Sequence, residues 1–224
     1  MTSAKVELGR LPTENTMHKL RIAAFASGRG SNLAAILDSI KRGTLDCEVV
    51  LVMSNKPTAG VLNIARTHGI AALHLAQEQF EHAEDFDRRL LGALAEHQVE
   101  MIVLAGYLKK INPAIIRDYK NRILNIHPAR LPAFGGKGMY VRNVHQAVLD
   151  YGCKVSGVTV HLVDEEYDRG TPVLQKCVPV KEGDTAESLA ARVLVEEHKI
   201  FSEALQLFAE GRVEVRGRRA VIRE

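Results

Sequence analysis

Apolar runs at 20–26, 48–54, 70–75 and 101–105 are separated by segments whose apolar residues recur at helical spacing. Leu33, Ile36, Leu37 and Ile40 share one such face, Val61, Ile64 and Ala65 another, and Phe86, Leu90, Leu91 and Leu94 a third. Run 101–105 has no polar position at all, as a parallel strand covered on both faces requires. This alternation predicts an α/β chain with a doubly wound, mostly parallel sheet. Past Asn125 the rhythm changes. Residues 128–139 carry Pro128, Pro132, Gly135, Gly136 and Gly138 and are expected to form a mobile loop. A helix over about 141–149 follows. Two β-rich runs, 155–163 and 172–180, then suit antiparallel additions to the sheet. A long helix from Thr185 to about Ala209 is expected to be capped by Asp184 or Thr185. The Arg-rich segment 212–223 alternates with Val and reads as a solvated terminal hairpin. The organisation expected is a single domain over 19–224 behind a flexible extension, 1–18.

The chain of 224 residues has a net charge of +3, too small for a dedicated nucleic-acid surface but compatible with a local phosphate site. Cys47, Cys153 and Cys177 lie far apart and outside any zinc-ligand spacing, which argues against a structural metal and for reduced thiols in a cytoplasmic protein. No apolar run approaches the roughly 18 residues of a membrane span, and the N-terminus lacks a signal-type apolar core.

Chemistry-bearing residues gather at the predicted strand ends. Asn125 and His127 sit at the end of an apolar run beginning at Arg122, and Asp168 follows the run 157–163. Ligands bind at strand ends in open α/β sheets. An amide donor beside an imidazole suits a reaction that develops negative charge on a carbonyl oxygen, and a nearby carboxylate would orient the imidazole and favour its protonated form. His161, inside an apolar run, reads as a hydrogen-bonded core histidine. Glu197 falls on the last helix, where a solvated face is the simpler reading. Between the first strand and first helix stands SGRGSN, 27–32. A dinucleotide fingerprint would need glycine where Leu33 stands and an acid near Ser54 and Asn55, and a Walker lysine is absent. A single phosphate on Gly30, Ser31 and Asn32 is the reading that remains.

Taken together, 27–33 (SGRGSNL), 54–56 (SNK), 103–107 (VLAGY), 124–128 (LNIHP), 158–164 (VTVHLVD), 167–170 (YDRG) and 196–198 (EEH) make the chain resemble the glycinamide ribonucleotide formyltransferases of purine biosynthesis over about 20–210. The resemblance implies a Rossmann-like formyltransferase fold, 10-formyltetrahydrofolate as co-substrate and no metal. It implies Asn125, His127 and Asp168 as the catalytic set. The ribonucleotide phosphate would bind at Gly30, Ser31 and Asn32, and its ribose at Glu197. The folate would lie against Leu104, Ala105, Gly106, Tyr107, Leu108, Lys109 and the backbone near Asp164. In the mechanism it implies, the ribonucleotide amine attacks the formyl carbon directly, Asn125 and a protonated His127 stabilise the oxyanion, and Asp168 assists proton transfer. Partners are expected to be small molecules only, with no nucleic acid or membrane, for a monomer or homodimer. A methionyl-tRNA formyltransferase would be expected to carry a further RNA-binding domain, and a formyltetrahydrofolate hydrolase a regulatory one. A non-enzymatic nucleotide-binding module would have no use for the Asn/His/Asp set.

Overall fold

Strand residues of period two split the core into two layers. The computed structural model describes residues 18–140 and 142–224. In β1 (Leu20–Phe25), Ile22 and Ala24 face one apolar cluster while Ala23 and Phe25 face the other, all fully buried. Helices α1 (Ser31–Lys41) and α2 (Gly60–Thr67) cover the first face, joined there by α5 (Arg142–Asp150) and α6 (Ala186–Ala209). The second face is covered by α3 (Ala83–Glu96) and α4 (Pro113–Asp118). The expected start of α5 at Val141 and the extension before His18 lie outside the described residues.

The seven-stranded sheet also contains β2 (Cys47–Ser54), β3 (Ala71–His74), β4 (Met101–Leu104), β5 (Ile123–His127), β6 (Val155–Leu162) and β7 (Pro172–Pro179), in the order β3-β2-β1-β4-β5-β6-β7. Strands β1 to β5 are parallel, and β6 and β7 add antiparallel. The chain therefore winds outward from β1 to β3, returns to β4 and winds the other way. The crevice at this switch point, beyond the C-terminal ends of β1 and β4, is where such sheets place ligands.

Three local outcomes differ from expectation. Helix α4 escaped the periodicity because it spans only six residues; Pro113 in its first turn is the signal that marks it. Loop 128–139 is tied down over its first half. Thr159 Oγ1 accepts from Leu131 N and donates to Ala129 O, and Gln175 Nε2 donates to Leu131 O. The terminal hairpin, β8 (Val213–Arg216) with β9 (Arg219–Ile222), is docked as well as solvated: Val213, Val215 and Ala220 pack on the core, and Arg218 donates to Arg169 O at 2.8 Å. At the start of α6, Thr185 is the cap and exchanges hydrogen bonds with Ser188, while Asp184 pairs with Arg192.

Candidate active site

A cavity of about 950 Å³ opens at the switch point, lined by the ends of β1, β4 and β5 and by the loop after β6. That is the size of a cofactor or drug-sized ligand site. Every residue singled out above as catalytic, phosphate-binding or folate-binding lines it, including Glu197, whose solvated-face reading the tertiary structure overturns. A second groove of about 1130 Å³ runs between α1, α6 and the terminal hairpin, and it holds none of the Asn/His/Asp set.

The phosphate candidate is built by backbone geometry. Gly30 precedes α1 at φ 88°, and a Cβ there would sit 3.0 Å from Val61 and Ile64, so α2 presses on the turn from behind. Val61 N donates to Gly28 O at 3.2 Å, fixing the turn further. No side chain caps α1, and its first turn has no acidic residue, so its leading amides face the cavity with the positive end of the helix dipole. Asn32, only 7% exposed, donates from Nδ2 to Glu197 Oε2 at 3.2 Å, while its buried Oδ1 has no protein partner. Burial pushes the Glu197 carboxyl above its usual range, with Asn32 pulling the other way. Gly30→Ala should cost about 1–2 kcal/mol through left-handed backbone strain alone, read as a lower urea midpoint, and should weaken inorganic phosphate binding in the same preparation.

The catalytic candidates converge through strand register. Asn125 faces His161 directly across the β5–β6 pair, and His127 faces Thr159 two residues on. Asn125 and His127 therefore lie within β5, not beyond its end. His161, expected to be a core histidine, is buried yet belongs to the site: its Nδ1 bonds Leu162 O at 2.9 Å, leaving Nε2 to accept from Asn125 Nδ2 at 3.0 Å. This bond fixes which way the Asn125 amide points and leaves its second N–H for a ligand. Asp168, at φ 56°, sits between the two rings, with Oδ2 3.5 Å from His127 Nδ1 and Oδ1 3.6 Å from His161 Nε2. It also accepts from Gly136 N at 2.9 Å, which ties the glycine loop to the site. Burial acts to raise the Asp168 carboxyl, but His161, His127 and Gly136 together outweigh it and hold it below the usual carboxylate range.

His127 is 3% exposed. Its Nε2 faces Phe134 O at 2.8 Å and therefore carries a proton, since a carbonyl only accepts. Burial lowers its basicity, and the opposing pull of the Asp168 charge and the Phe134 carbonyl does not win. The Asp168 charge acts to favour the protonated ring, as expected, but burial is the larger influence and leaves the ring less basic than a free imidazole. Its Nδ1 faces the Asp168 carboxylate at 3.5 Å, an arrangement that a proton on the ring makes favourable.

His145 was not singled out by the sequence because a lone histidine between Val144 and Val148 reads as core. It lines the cavity at 2% exposure, and its Nδ1 has no protein partner. Burial, assisted by repulsion from His127, pushes it down to about 4. The folded-state value lies below the unfolded one of 6.5. Its contribution to stability is therefore complete above pH 6.5 and is lost as pH falls towards 4. The loss should reach about 3 kcal/mol across that window, with His127 acting in the same direction. Urea midpoints measured from pH 7.5 to 4.5 should show this slope, and His145→Gln should flatten it.

The folate candidates form one wall. Leu104 ends β4, and Ala105 to Lys109 continue from it. Leu108 N donates to Ser27 Oγ, which in turn donates to Asn55 Oδ1, so the wall is tied to the phosphate turn. Tyr107 packs edge-on against Phe25. Lys109 is paired with Glu78 at 2.6 Å, and Lys110 lies over the Tyr167 ring. Among the described residues, no group of three or more His, Cys, Asp or Glu could hold a metal, and no helix is long and apolar enough to cross a membrane.

Comparison with known proteins agrees with this architecture. Residues 20–205 match the formyl transferase family. The chain is 41% identical to a chloroplastic phosphoribosylglycinamide formyltransferase of Vigna unguiculata over 88% of its own length and 64% of that protein's, so it spans just under two thirds of this relative. It is 37% identical to the phosphoribosylglycinamide formyltransferase of Escherichia coli, covering 88% of this chain and 90% of that one. The crystal structure of glycinamide ribonucleotide transformylase 1 from Symbiobacterium toebii superposes with a TM-score of 0.87 at 40% identity, covering 98% of this chain and all of that one. A switch-point cavity holding Asn125, His127 and Asp168, on a sheet shared with these proteins, is that of a chain that belongs to the formyl transferase family.

Proposed function

We propose that this protein transfers a formyl group from 10-formyltetrahydrofolate to the amine of glycinamide ribonucleotide. The carrying observation is the convergence, in one cavity, of an uncapped helix N-terminus with an amide, an imidazole and a partly buried carboxylate. The first suits a phosphate, and the other three suit acyl transfer to an amine. The relatives' names supply the acceptor and the formyl group that is moved, and the donor is the one the sequence resemblance implies.

In this reading the amine attacks the formyl carbon, a C–N bond forms, and the carbonyl oxygen becomes an oxyanion. The second amide proton of Asn125 meets that oxygen as charge develops. Asp168 receives the proton shed by the amine, directly or through water, and His127 Nδ1 lies beside it to share the charge. The same proton reaches the departing N10 as the C–N10 bond breaks and the carbonyl re-forms. His127 Nε2 can reach the oxyanion only after the Phe134 carbonyl releases it. Glu197 holds the ribose hydroxyls, and Leu104 to Lys109 with the backbone near Asp164 hold the folate.

The test combines purified protein, glycinamide ribonucleotide and 10-formyltetrahydrofolate, with tetrahydrofolate followed by absorbance. Expected is release that depends on the ribonucleotide and matches its formylation mole for mole. Release without acceptor would identify a hydrolase instead, and efficient formylation of methionyl-tRNA would reassign the acceptor.

A further inference from the structure

We propose that Arg218, at the tip of the terminal hairpin, is a positioning residue for Asp168, so that the hairpin braces the site. The inference rests on the reading of Asp168 as the group that takes the amine's proton. Arg218 Nη2 donates to Arg169 O at 2.8 Å, one residue past that carboxylate. Arg212 pairs with Glu210, and Arg216 and Arg223 pair with Glu214, all within or beside the hairpin. Those pairs hold the hairpin to itself. Arg218 instead reaches across to the loop between β6 and β7. The tip it stands on is fixed. β8 and β9 pair from Val213 with Ile222 to Arg216 with Arg219, which leaves a two-residue turn of Gly217 and Arg218. Gly217 leads that turn at φ 58°, the left-handed geometry that glycine supplies in tight hairpins. At the open end Arg223 N donates to Arg212 O at 2.9 Å, and Val213, Val215 and Ala220 pack on the core.

Asp168 is a residue at which such a brace counts. Its φ of 56° is left-handed, a conformation that a residue with a side chain keeps only where its surroundings hold it. Its oxygens stand 3.5 Å from His127 Nδ1 and 3.6 Å from His161 Nε2, so a small shift of the loop alters both approaches. Three ties meet here. Gly136 N donates to Asp168 Oδ2 at 2.9 Å and holds the carboxylate itself. Gly170 lies so close to Leu162 O that a side chain has no room, which fixes the chain on the far side. Arg218 holds the oxygen of the peptide that joins Arg169 to Gly170, from 49 residues further along the chain. With its oxygen held and Gly170 wedged, that peptide cannot rotate without breaking a charge-assisted bond or meeting β6. On the near side, Lys110 lies over the Tyr167 ring.

The test compares the full chain with its Arg218→Ala and Arg218→Lys variants, first by amide hydrogen exchange in NMR, which needs no substrate. The Gly136 amide reports where the Asp168 carboxylate stands, because that carboxylate is its acceptor. The Leu131 amide, bonded to Thr159 Oγ1 in the same loop, is the reference. In Arg218→Ala, Gly136 should exchange about 3- to 10-fold faster, the scale of one charged hydrogen bond discounted for exposure, with Leu131 unchanged. Arg218→Lys keeps a charged donor and should fall between the two. In formyl transfer, kcat should drop by the same factor while KM for either substrate stays within about twofold. In an Asp168→Asn background, Arg218→Ala should cost nothing further, since the group it positions is gone. Equal Gly136 exchange in wild type and Arg218→Ala overturns the proposal. An equal rise at Gly136 and Leu131 also overturns it, since the hairpin would then stabilise the domain in general. So does an undiminished kcat loss in the Asp168→Asn background. The exchange result stands apart from the transfer assay: an inactive protein with Arg218-dependent Gly136 exchange would reject the transferase reading alone, and an active one with Arg218-independent exchange this proposal alone.

Discussion

Asp168→Asn is expected to lower kcat by about 10²- to 10⁴-fold, the range for loss of a positioned acid–base group, with little change in KM for either substrate. The asparagine keeps the size of the side chain, tolerates the left-handed backbone at φ 56° and can still accept from Gly136 N. Its amide nitrogen can turn to the His161 side, where Asp168 Oδ1 stands 3.6 Å from Nε2. The fold should therefore survive, with thermal unfolding close to that of the parent. What is lost is the charge beside His127 Nδ1 and the acceptor for the amine's proton. Steady-state rates at saturating donor and acceptor give the measurement. A variant with near-parental kcat would remove Asp168 from the chemistry, and a raised KM as the only defect would recast it as a binding residue.

Gly170→Ala should be among the most damaging single substitutions in the chain. A Cβ at that position would lie 1.7 Å from Leu162 O and 2.8 Å from Leu162 C, both backbone atoms of β6 that no rotamer change can move. Close by, Leu162 N donates to Thr171 O and closes the loop that carries Asp168. Overpacking against backbone should cost at least about 3 kcal/mol, visible as a large fall in the urea midpoint. Any folded fraction should be slow, because the loop must move and Asp168 with it. Gly92→Ala provides the control. Gly92 lies on α3 with nothing within 4 Å of its Cβ position and no positive φ. That change should stabilise by about 0.5–1 kcal/mol from helix propensity. If the two alanines behave alike, the close approach at Gly170 does not govern the loop.

The fold class was legible because its signal is local. Buried parallel strands must be apolar at every position, and the helices beside them must show one apolar stripe; runs such as 101–105 and the Leu33/Ile36 spacing carry that requirement in the sequence itself. The phosphate turn was legible for the same reason, since glycines, a serine and an asparagine between a strand and a helix constrain the backbone directly. Asn125, His127 and Asp168 stood out by residue type and by position near strand ends.

The remaining features depend on residues far apart in the chain. His161 looks like core until antiparallel pairing sets it opposite Asn125, 36 residues away. Glu197 looks solvated until α6 crosses α1 and brings it to Asn32, 165 residues away. His145 gives no sign of its shift to about 4, which comes from enclosure by other elements. The lowered basicity of His127 is hidden from the sequence for a related reason: a charged neighbour can be guessed from residue type, whereas desolvation depends on everything packed around the ring. Sequence by itself determined the layers, the strand-end chemistry and the glycine turn, because periodicity and backbone freedom are local properties. Only the tertiary structure decided partners, burial and proton affinities, because these are set by distances between segments that no local pattern encodes.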